Sequence, residues 1–393
     1  MKNCKLFGII VLIAVIGLAT CSSPAGGGGG GAGSTGIPDK SWYDPSASSF
    51  VIKTPDELAG LAALVNDDGY DLSDKTVTLG ANINLSVYSS GEGWTPIGDS
   101  TNFCGTFDGA NYTISNLKID RNSASLQGLF SQLGSSMVSG VVKNVKLTNV
   151  NINGNSNIGA IAGFLNGNSS ITDSSTAGTI NGNSTGMNIG GIVGYSLGTI
   201  ARCCSAAEVN GNQRVGGIVG QLDLATGKIM NCYSTGNITS SGDNAGGIAG
   251  IIASSSSSSV TNCYATGKVT GNDYVGGITG NNGGSITDCA ALNLGIETIV
   301  AVGANIGCVA GDSSGTFANN VTCGVTFVMG GLTIINGMFG SLTKYGADLA
   351  KSTLNGDGTI GGRFTSGNGW TTLNGYLPGF GAVVPMPNHL TTS

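Results

Sequence analysis

Two aspartates thirty residues apart, Asp243 and Asp273, have a spacing that suggests chemistry. Each stands two residues before an apolar-glycine string, Ala245-Gly246-Gly247-Ile248-Ala249-Gly250 in one case and Val275-Gly276-Gly277-Ile278-Thr279-Gly280 in the other. If the strings lie over one another, the carboxylates sit about 5 Å apart. At that distance they could bind a calcium ion or serve as nucleophile and acid on a glycosidic bond. Turn chemistry favours reading them as solvated turn residues beside Asn244 and Asn272, with calcium binding or glycoside chemistry as the alternatives. The cysteines are the other candidates. Cys203, Cys232, Cys263 and Cys289 each follow an apolar residue by three, and Val145 and Ser174 hold the same place in earlier copies. A slot that takes Val, Ser or Cys reads as an inward column of small side chains. Disulfides among Cys203, Cys204, Cys232, Cys263 and Cys289 remain open, and Cys204, adjacent to Cys203, points the other way along a strand. No Cys-x-x-Cys pair or nearby histidine suggests a metal, and His389 is the single histidine. A multi-histidine metal site and histidine-centred catalysis at more than one place are excluded, and no cofactor is implied.

The chain that must position these groups has 393 residues, with 16 basic and 22 acidic side chains and a net charge of −6. Glycine accounts for 69 residues, while charged residues are 10% and aromatics 6%. The apolar content excludes disorder, and the missing Gly-X-Y period excludes collagen. An acidic chain without a basic patch excludes nucleic acid as the main partner.

The glycine string recurs. Its first glycines fall at 128, 159, 190, 216, 246, 276 and 307, in steps of 31, 31, 26, 30, 30 and 31. Between the strings lie a second element, beginning with Val142, Ile171, Ile200, Ile229, Val260 or Ile286, and a third such as Val150-Asn151-Ile152. The segments are short, β-branched and bounded by Gly, Asn, Ser and Asp, which predicts strands. None can bury an apolar face alone, but stacked copies can. The expectation is an all-β chain: a right-handed parallel β-helix, a three-sided solenoid of ~30 residues per coil, each coil ~4.8 Å above the last. Apolar residues three apart around each glycine pair, such as Val215 and Ile218, require either a corner or a bulge there. An end coil exposes core and needs a cap. Thr54, Pro55 and Glu57 form a helix start, and Leu58, Leu61, Ala62 and Val65 form one stripe, so a short capping helix is expected near the N-terminal end.

The N-terminus reads as an export signal. Lys2 and Lys5 precede an apolar run over 6–18, too short to span a bilayer. Leu18-Ala19-Thr20-Cys21 resembles a bacterial lipoprotein signal, in which the cysteine is lipidated, although Thr20 stands where Gly, Ala or Ser is usual. Cleavage near Ala25 is the alternative. Residues 22–36, with six consecutive glycines at 26–31, form a flexible tether of roughly 21 Å r.m.s. span. The expected organisation is a signal peptide at 1–20, a tether at 21–40, an N-terminal cap and first coils at 41–125, repeats at 126–311, and diverged C-terminal coils with a cap at 312–393.

The repeated Gly-Gly-Ile-x-Gly strings resemble the GLUG motif of bacterial surface proteins. Trp94-Thr95-Pro96-Ile97-Gly98 and Gly105-Thr106-Phe107-Asp108-Gly109 are similar to the region that precedes those motifs. The resemblance spans about residues 54–311. It implies a parallel β-helix on an exported protein, adhesin-like or similar to the accessory region of immunoglobulin A metallopeptidases. It supplies no catalytic residues, because the peptidase's His-Glu-x-x-His string is missing from this chain. The expectation is therefore a non-enzymatic surface protein, held to the outer membrane by lipid on Cys21. It would bind a host or extracellular protein or glycan, or act structurally. The alternatives are a carbohydrate-active β-helix enzyme of the lyase or hydrolase type, with Tyr195, Tyr233, Tyr264 and Tyr274 as the main repeat aromatics, or an accessory module of a surface protease system.

Overall fold

The computed structural model describes residues 34–224, 226–254, 257–300, 304–334 and 342–391. Segments about thirty residues apart lie directly over one another. Sheet 1 has ten strands, all parallel, from Ser49–Ile52 to Thr316–Ala318. Its register stacks Ile171, Ile200, Ile229, Val260 and Ile286 in one file. All five are fully buried. Each coil then passes through sheet 2, which contains strands such as Lys146–Gly154 and Ser175–Gly182, then sheet 3 and sheet 4 before returning to sheet 1. The result is a β-solenoid.

The glycine string contributes two strands rather than one. Its first half lies in sheet 3, six strands from Ile158–Gly159 to Ile306–Gly307, and its second half in sheet 4, seven strands from Phe130–Leu133 to Ala310–Ser313. The chain turns a corner between them, so residues three apart, such as Val215 and Ile218, both reach the core. Ile192, Ile218, Ile248 and Ile278 stand at this corner in single file. Each backbone N–H donates to the carbonyl of the next, at 3.0, 2.9 and 2.9 Å. The glycines are required by close approach. A Cβ on Gly217 would lie 2.2 Å from the Gly247 carbonyl oxygen and 2.2 Å from Ser234 Oγ.

A second corner, between sheets 1 and 2, places Asn144, Asp173, Arg202, Asn231, Asn262, Asp288 and Asn319 at φ between 50° and 55°. Asn and Asp adopt this left-handed conformation most readily among residues with a Cβ. Their side chains also tie coil to coil: Asn144 Nδ2 donates to Asp108 Oδ1 at 2.9 Å, and Asn319 Nδ2 to Asp288 Oδ1 at 2.5 Å. Arg202 holds the position through two bonds to the Asp173 carboxylate, both 2.6 Å.

Helix α1, Pro55–Asn66, closes the N-terminal end. Its capping box is complete: Thr54 Oγ1 accepts from the Glu57 N–H at 3.1 Å, and Glu57 Oε2 accepts from the Thr54 N–H at 2.9 Å. Leu58, Leu61, Ala62 and Val65 are buried against the first coils.

At the other end, coiling continues to Ala347–Asp348, which pairs with Val321–Thr322. The segment 349–390 is then a strap, not a plug over the last coil. It runs back along the outer face of sheet 2, where Cys204, Tyr233, Tyr264, Ala290 and Val321 form one outward file. Phe364, Trp370, Leu377 and Leu390 bury that file in a second hydrophobic core. Tyr233 and Tyr264 stack at 5.0 Å, Trp370 stacks on Phe380 at 4.4 Å, and Tyr264 Oη donates to the Pro378 carbonyl at 2.6 Å.

Candidate functional site

The strap leaves a groove of about 530 Å³ where it crosses the break in sheet 2. In the later coils this sheet is interrupted, as between Tyr233–Ser234 and Ile238–Ser240. Glycines at the break allow adjacent coils to approach closely: a Cβ on Gly267 would lie 1.9 Å from the Gly236 carbonyl oxygen. Thr235, Thr266, Lys268 and the exposed Leu294 line the solenoid side, and Met386 and His389 line the strap side. His389 Nε2 lies 2.9 Å from the Leu292 carbonyl oxygen, a donor position for the neutral ring. Burial pushes the His389 pKa down, and Lys351 acts in the same direction. Lys268 forms an ion pair with Glu297, and its backbone N–H donates to Asn237 Oδ1 at 3.0 Å. An apolar trough with a few fixed polar groups is the usual form of a binding site. Repeat periodicity did not reveal the groove, because half of it comes from the non-repeating strap. The available signal was the pair of large aromatics, Tyr233 and Tyr264, on an outward file.

Asp243 and Asp273 occupy the turn into sheet 3 in adjacent coils, where the Asn244 N–H donates to the Asp273 carbonyl at 2.9 Å. The Asp273 carboxylate accepts from the Tyr274 N–H at 2.8 Å, the Asn305 N–H at 2.5 Å and Asn305 Nδ2 at 3.1 Å. Asp243 Oδ1 accepts from Asn272 Nδ2 at 3.3 Å. Both carboxylates brace one coil against the next. Among the described residues no three of His, Cys, Asp and Glu are grouped to hold a metal. In the acidic stretch after α1, Asp68 pairs with Lys40 at 2.7 Å and Asp71 accepts from Ser73. Cys21 lies outside the described residues.

Val145, Ser174, Cys203, Cys232, Cys263 and Cys289 form the expected inward column, all buried, and Asn320 continues it. Cys203, Cys232, Cys263 and Cys289 are free thiols. Cys204 is buried on the opposite, outward side, under the strap. The column also carries hydrogen bonds that periodicity does not show. The Cys203 N–H donates to Cys232 Sγ and the Cys232 N–H to Cys263 Sγ, each at 3.4 Å. The Val145 N–H donates to Ser174 Oγ at 3.1 Å, and the Cys289 N–H to Asn320 Oδ1 at 2.9 Å. Each thiol in turn donates to the carbonyl two residues before it, as Cys232 does to Met230 at 3.3 Å. Burial pushes the Cys203 and Cys263 thiols up, away from the reactive thiolate.

The family model of the GLUG motif matches residues 211–239. That stretch is one turn of the solenoid, from the strand before the glycine corner to the second half of sheet 2. Halomucin of Haloquadratum walsbyi is 38% identical over 136 residues, a match that takes in 34% of this chain and 1% of that protein. The chain thus corresponds to a very small part of that relative. A crystal structure from Bacteroides ovatus, of a protein provisionally named an immunoglobulin A1 protease, superposes with a TM-score of 0.57 at 23% identity. The superposition covers 84% of this chain and 92% of the other, and it shows a shared fold. The chain is a β-solenoid, and one of its turns matches the GLUG motif.

Proposed function

We propose that this protein is exported, lipid-anchored through Cys21 and displayed at the cell surface, where its solenoid binds an extracellular protein or glycan without catalysis. One observation carries the reading: the place where the glycine-rich segment enters the fold is locked. Asp56, in the first turn of α1, accepts hydrogen bonds from Ser34 Oγ at 2.5 Å, the Thr35 N–H at 2.7 Å, Thr35 Oγ1 at 2.9 Å, the Gly36 N–H at 3.2 Å and Tyr88 Oη at 2.8 Å. The Asp39 N–H donates to the Asp56 carbonyl at 2.8 Å, and Trp42 Nε1 to the Glu57 carbonyl at 3.2 Å. A chain pulled from a membrane anchor would load this junction first. Charge-assisted bonds to a carboxylate at a helix N-terminus suit that load. The GLUG motif and the segment shared with halomucin support an extracellular setting. The groove under the strap offers a place for a ligand.

The test has two arms. Metabolic labelling with a radioactive fatty acid should mark the protein, and Cys21→Ala should abolish the label while protease shaving of intact cells removes the wild-type chain. Label retained in Cys21→Ala overturns the anchor. In the second arm, cells with and without the protein are screened against matrix proteins and glycans, and purified protein is assayed on acidic and neutral glycans. Turnover lost in Asp243→Ala or Asp273→Ala would move the assignment to a carbohydrate-active enzyme.

A further inference from the structure

The outer face of sheet 4 carries a side-chain constellation that the fold itself does not require. Register places Phe164, Tyr195, Gln221 and Ile251 in one file along the solenoid axis. All four are partly exposed, while their strand neighbours Leu165, Ser196, Leu222 and Ile252 fill the core. Phe164 and Tyr195 meet edge to face at 5.3 Å and 67°. Beside the rings lies a polar fork. Tyr195 Oη donates to Asp223 Oδ2 at 3.1 Å, Gln221 Nε2 donates to the same oxygen at 3.3 Å, and Arg214 Nη1 donates to Gln221 Oε1 at 2.7 Å. Arg214 reaches this face because it stands at φ 56° near the start of its sheet 3 strand, Gln213–Gly216, directly over Gly250, whose Cβ would meet its backbone at 2.4 Å.

We propose that this face is a binding ridge for a neutral linear polysaccharide; the proposal rests on the surface-binding reading above and names the ligand class. Pyranose rings present a C–H face that packs on aromatic side chains, and their vicinal hydroxyls both donate and accept. Asp223 is an acceptor, and Arg214 carries five N–H donors on one planar fork. Acceptor and donor, joined through Gln221, present complementary groups to the hydroxyls of a sugar. An extended peptide is disfavoured because strand addition needs a free sheet edge. Here the backbone is already paired on both sides: the strand Val193–Ser196 has partners in Ala162–Leu165 and Val219–Leu222. The rungs repeat at ~4.8 Å, a spacing that lets successive sugar units meet successive side chains. A net charge of −6 sets a neutral glycan above a polyanionic one.

The experiment is calorimetric titration of the full-length protein with four neutral hexasaccharides: cello-, manno-, xylo- and malto-hexaose. At least one should bind. Phe164→Ala and Asp223→Ala should each weaken it about tenfold, the equivalent of ~1.4 kcal/mol. Tyr195→Phe, which keeps the ring and removes its bond to Asp223, should weaken it less and guards against a variant that fails to fold. Val51→Ala, exposed on the first strand of sheet 1, should leave it unchanged. Binding to none of the four, or binding indifferent to Phe164 and Asp223, overturns the ridge. A chain that is shaved from cells yet binds none of the sugars refutes the ridge and leaves surface display standing. One that binds sugar but resists shaving does the reverse.

Discussion

Replacing Cys232 separates two accounts of the cysteine column. If the slot only demands a small inward side chain, Cys232→Val should be harmless, since Val145 already occupies the same column. The geometry says otherwise. Cys232 Sγ accepts the Cys203 N–H at 3.4 Å and donates to the Met230 carbonyl at 3.3 Å. Valine fits but leaves a fully buried N–H without an acceptor, at a cost of roughly 1–3 kcal/mol. Sulfur is a weak acceptor, so the lower half of that range, about 1–2 kcal/mol, is the expectation. Serine restores both bonds, as Ser174 does with the Val145 N–H and the Thr172 carbonyl at 3.1 and 2.8 Å. Its smaller oxygen leaves a small void, so Cys232→Ser should cost under about 1 kcal/mol. The assay is equilibrium urea denaturation followed by circular dichroism, with the order wild type, Ser, Val expected in the midpoints. Solenoids unfold with nearest-neighbour cooperativity, so the ranking of midpoints is the reliable readout. A Val variant as stable as the Ser variant would refute the hydrogen-bonded column and return it to simple packing.

Four further outcomes follow from the geometry. The Asp56 pKa is lowered to about 2 by its hydrogen bonds to Ser34, Thr35 and Tyr88, which outweigh the opposing effect of burial. The charged form therefore stabilises the fold above the ordinary value of 3.8, and that contribution fades as pH falls through about 2. Asp56→Asn should cost about 1 kcal/mol after solvent screening and speed tryptic cleavage at Lys40 at neutral pH, and its deficit against wild type should shrink between pH 4 and 2. Gly217→Ala drives a Cβ to 2.2 Å from the Gly247 carbonyl oxygen, so it should lower stability by more than about 3 kcal/mol or prevent soluble expression. Gly356→Ala, in helix Lys351–Asp357 with nothing within 4 Å, should be neutral or stabilise by up to about 1 kcal/mol in the same denaturation assay. His389 is held neutral by burial, with its pKa below the ordinary 6.5, so the folded strap binds fewer protons than the unfolded one. Its contribution is complete above 6.5 and is lost as pH falls toward the folded value. Denaturation followed by Trp370 emission should therefore weaken between pH 7 and 5, and His389→Gln should flatten that dependence.

The architecture was legible because its determinants recur in the chain. The glycine steps of 31, 26, 30, 30 and 31 from 159 to 307 match the observed register from Ile158–Gly159 to Ile306–Gly307. In-register parallel pairing forces equivalent residues into one file, so periodicity alone places them. Thr54, Pro55 and Glu57 similarly announced α1, because capping is a local interaction. The corner at each glycine pair could not be fixed in advance. A bulge and a corner both bring residues three apart to one side, and only the close approach of neighbouring coils selects between them. The acceptor role of Cys232 and Cys263 also depends on a neighbour about thirty residues away, since the N–H that each of these sulfurs receives belongs to the coil before it.

Sequence by itself determined the repeat, the strand period, the inward files and the capping helix, because each is encoded within one coil or by its recurrence. Tertiary structure alone decided that residues 349–390 double back over Tyr233 and Tyr264 and leave a groove beside His389. It also decided that Gln221 links Arg214 to Asp223 at the margin of an aromatic file. Those contacts join segments that share no period, and their formation is set by which apolar faces the solenoid leaves uncovered.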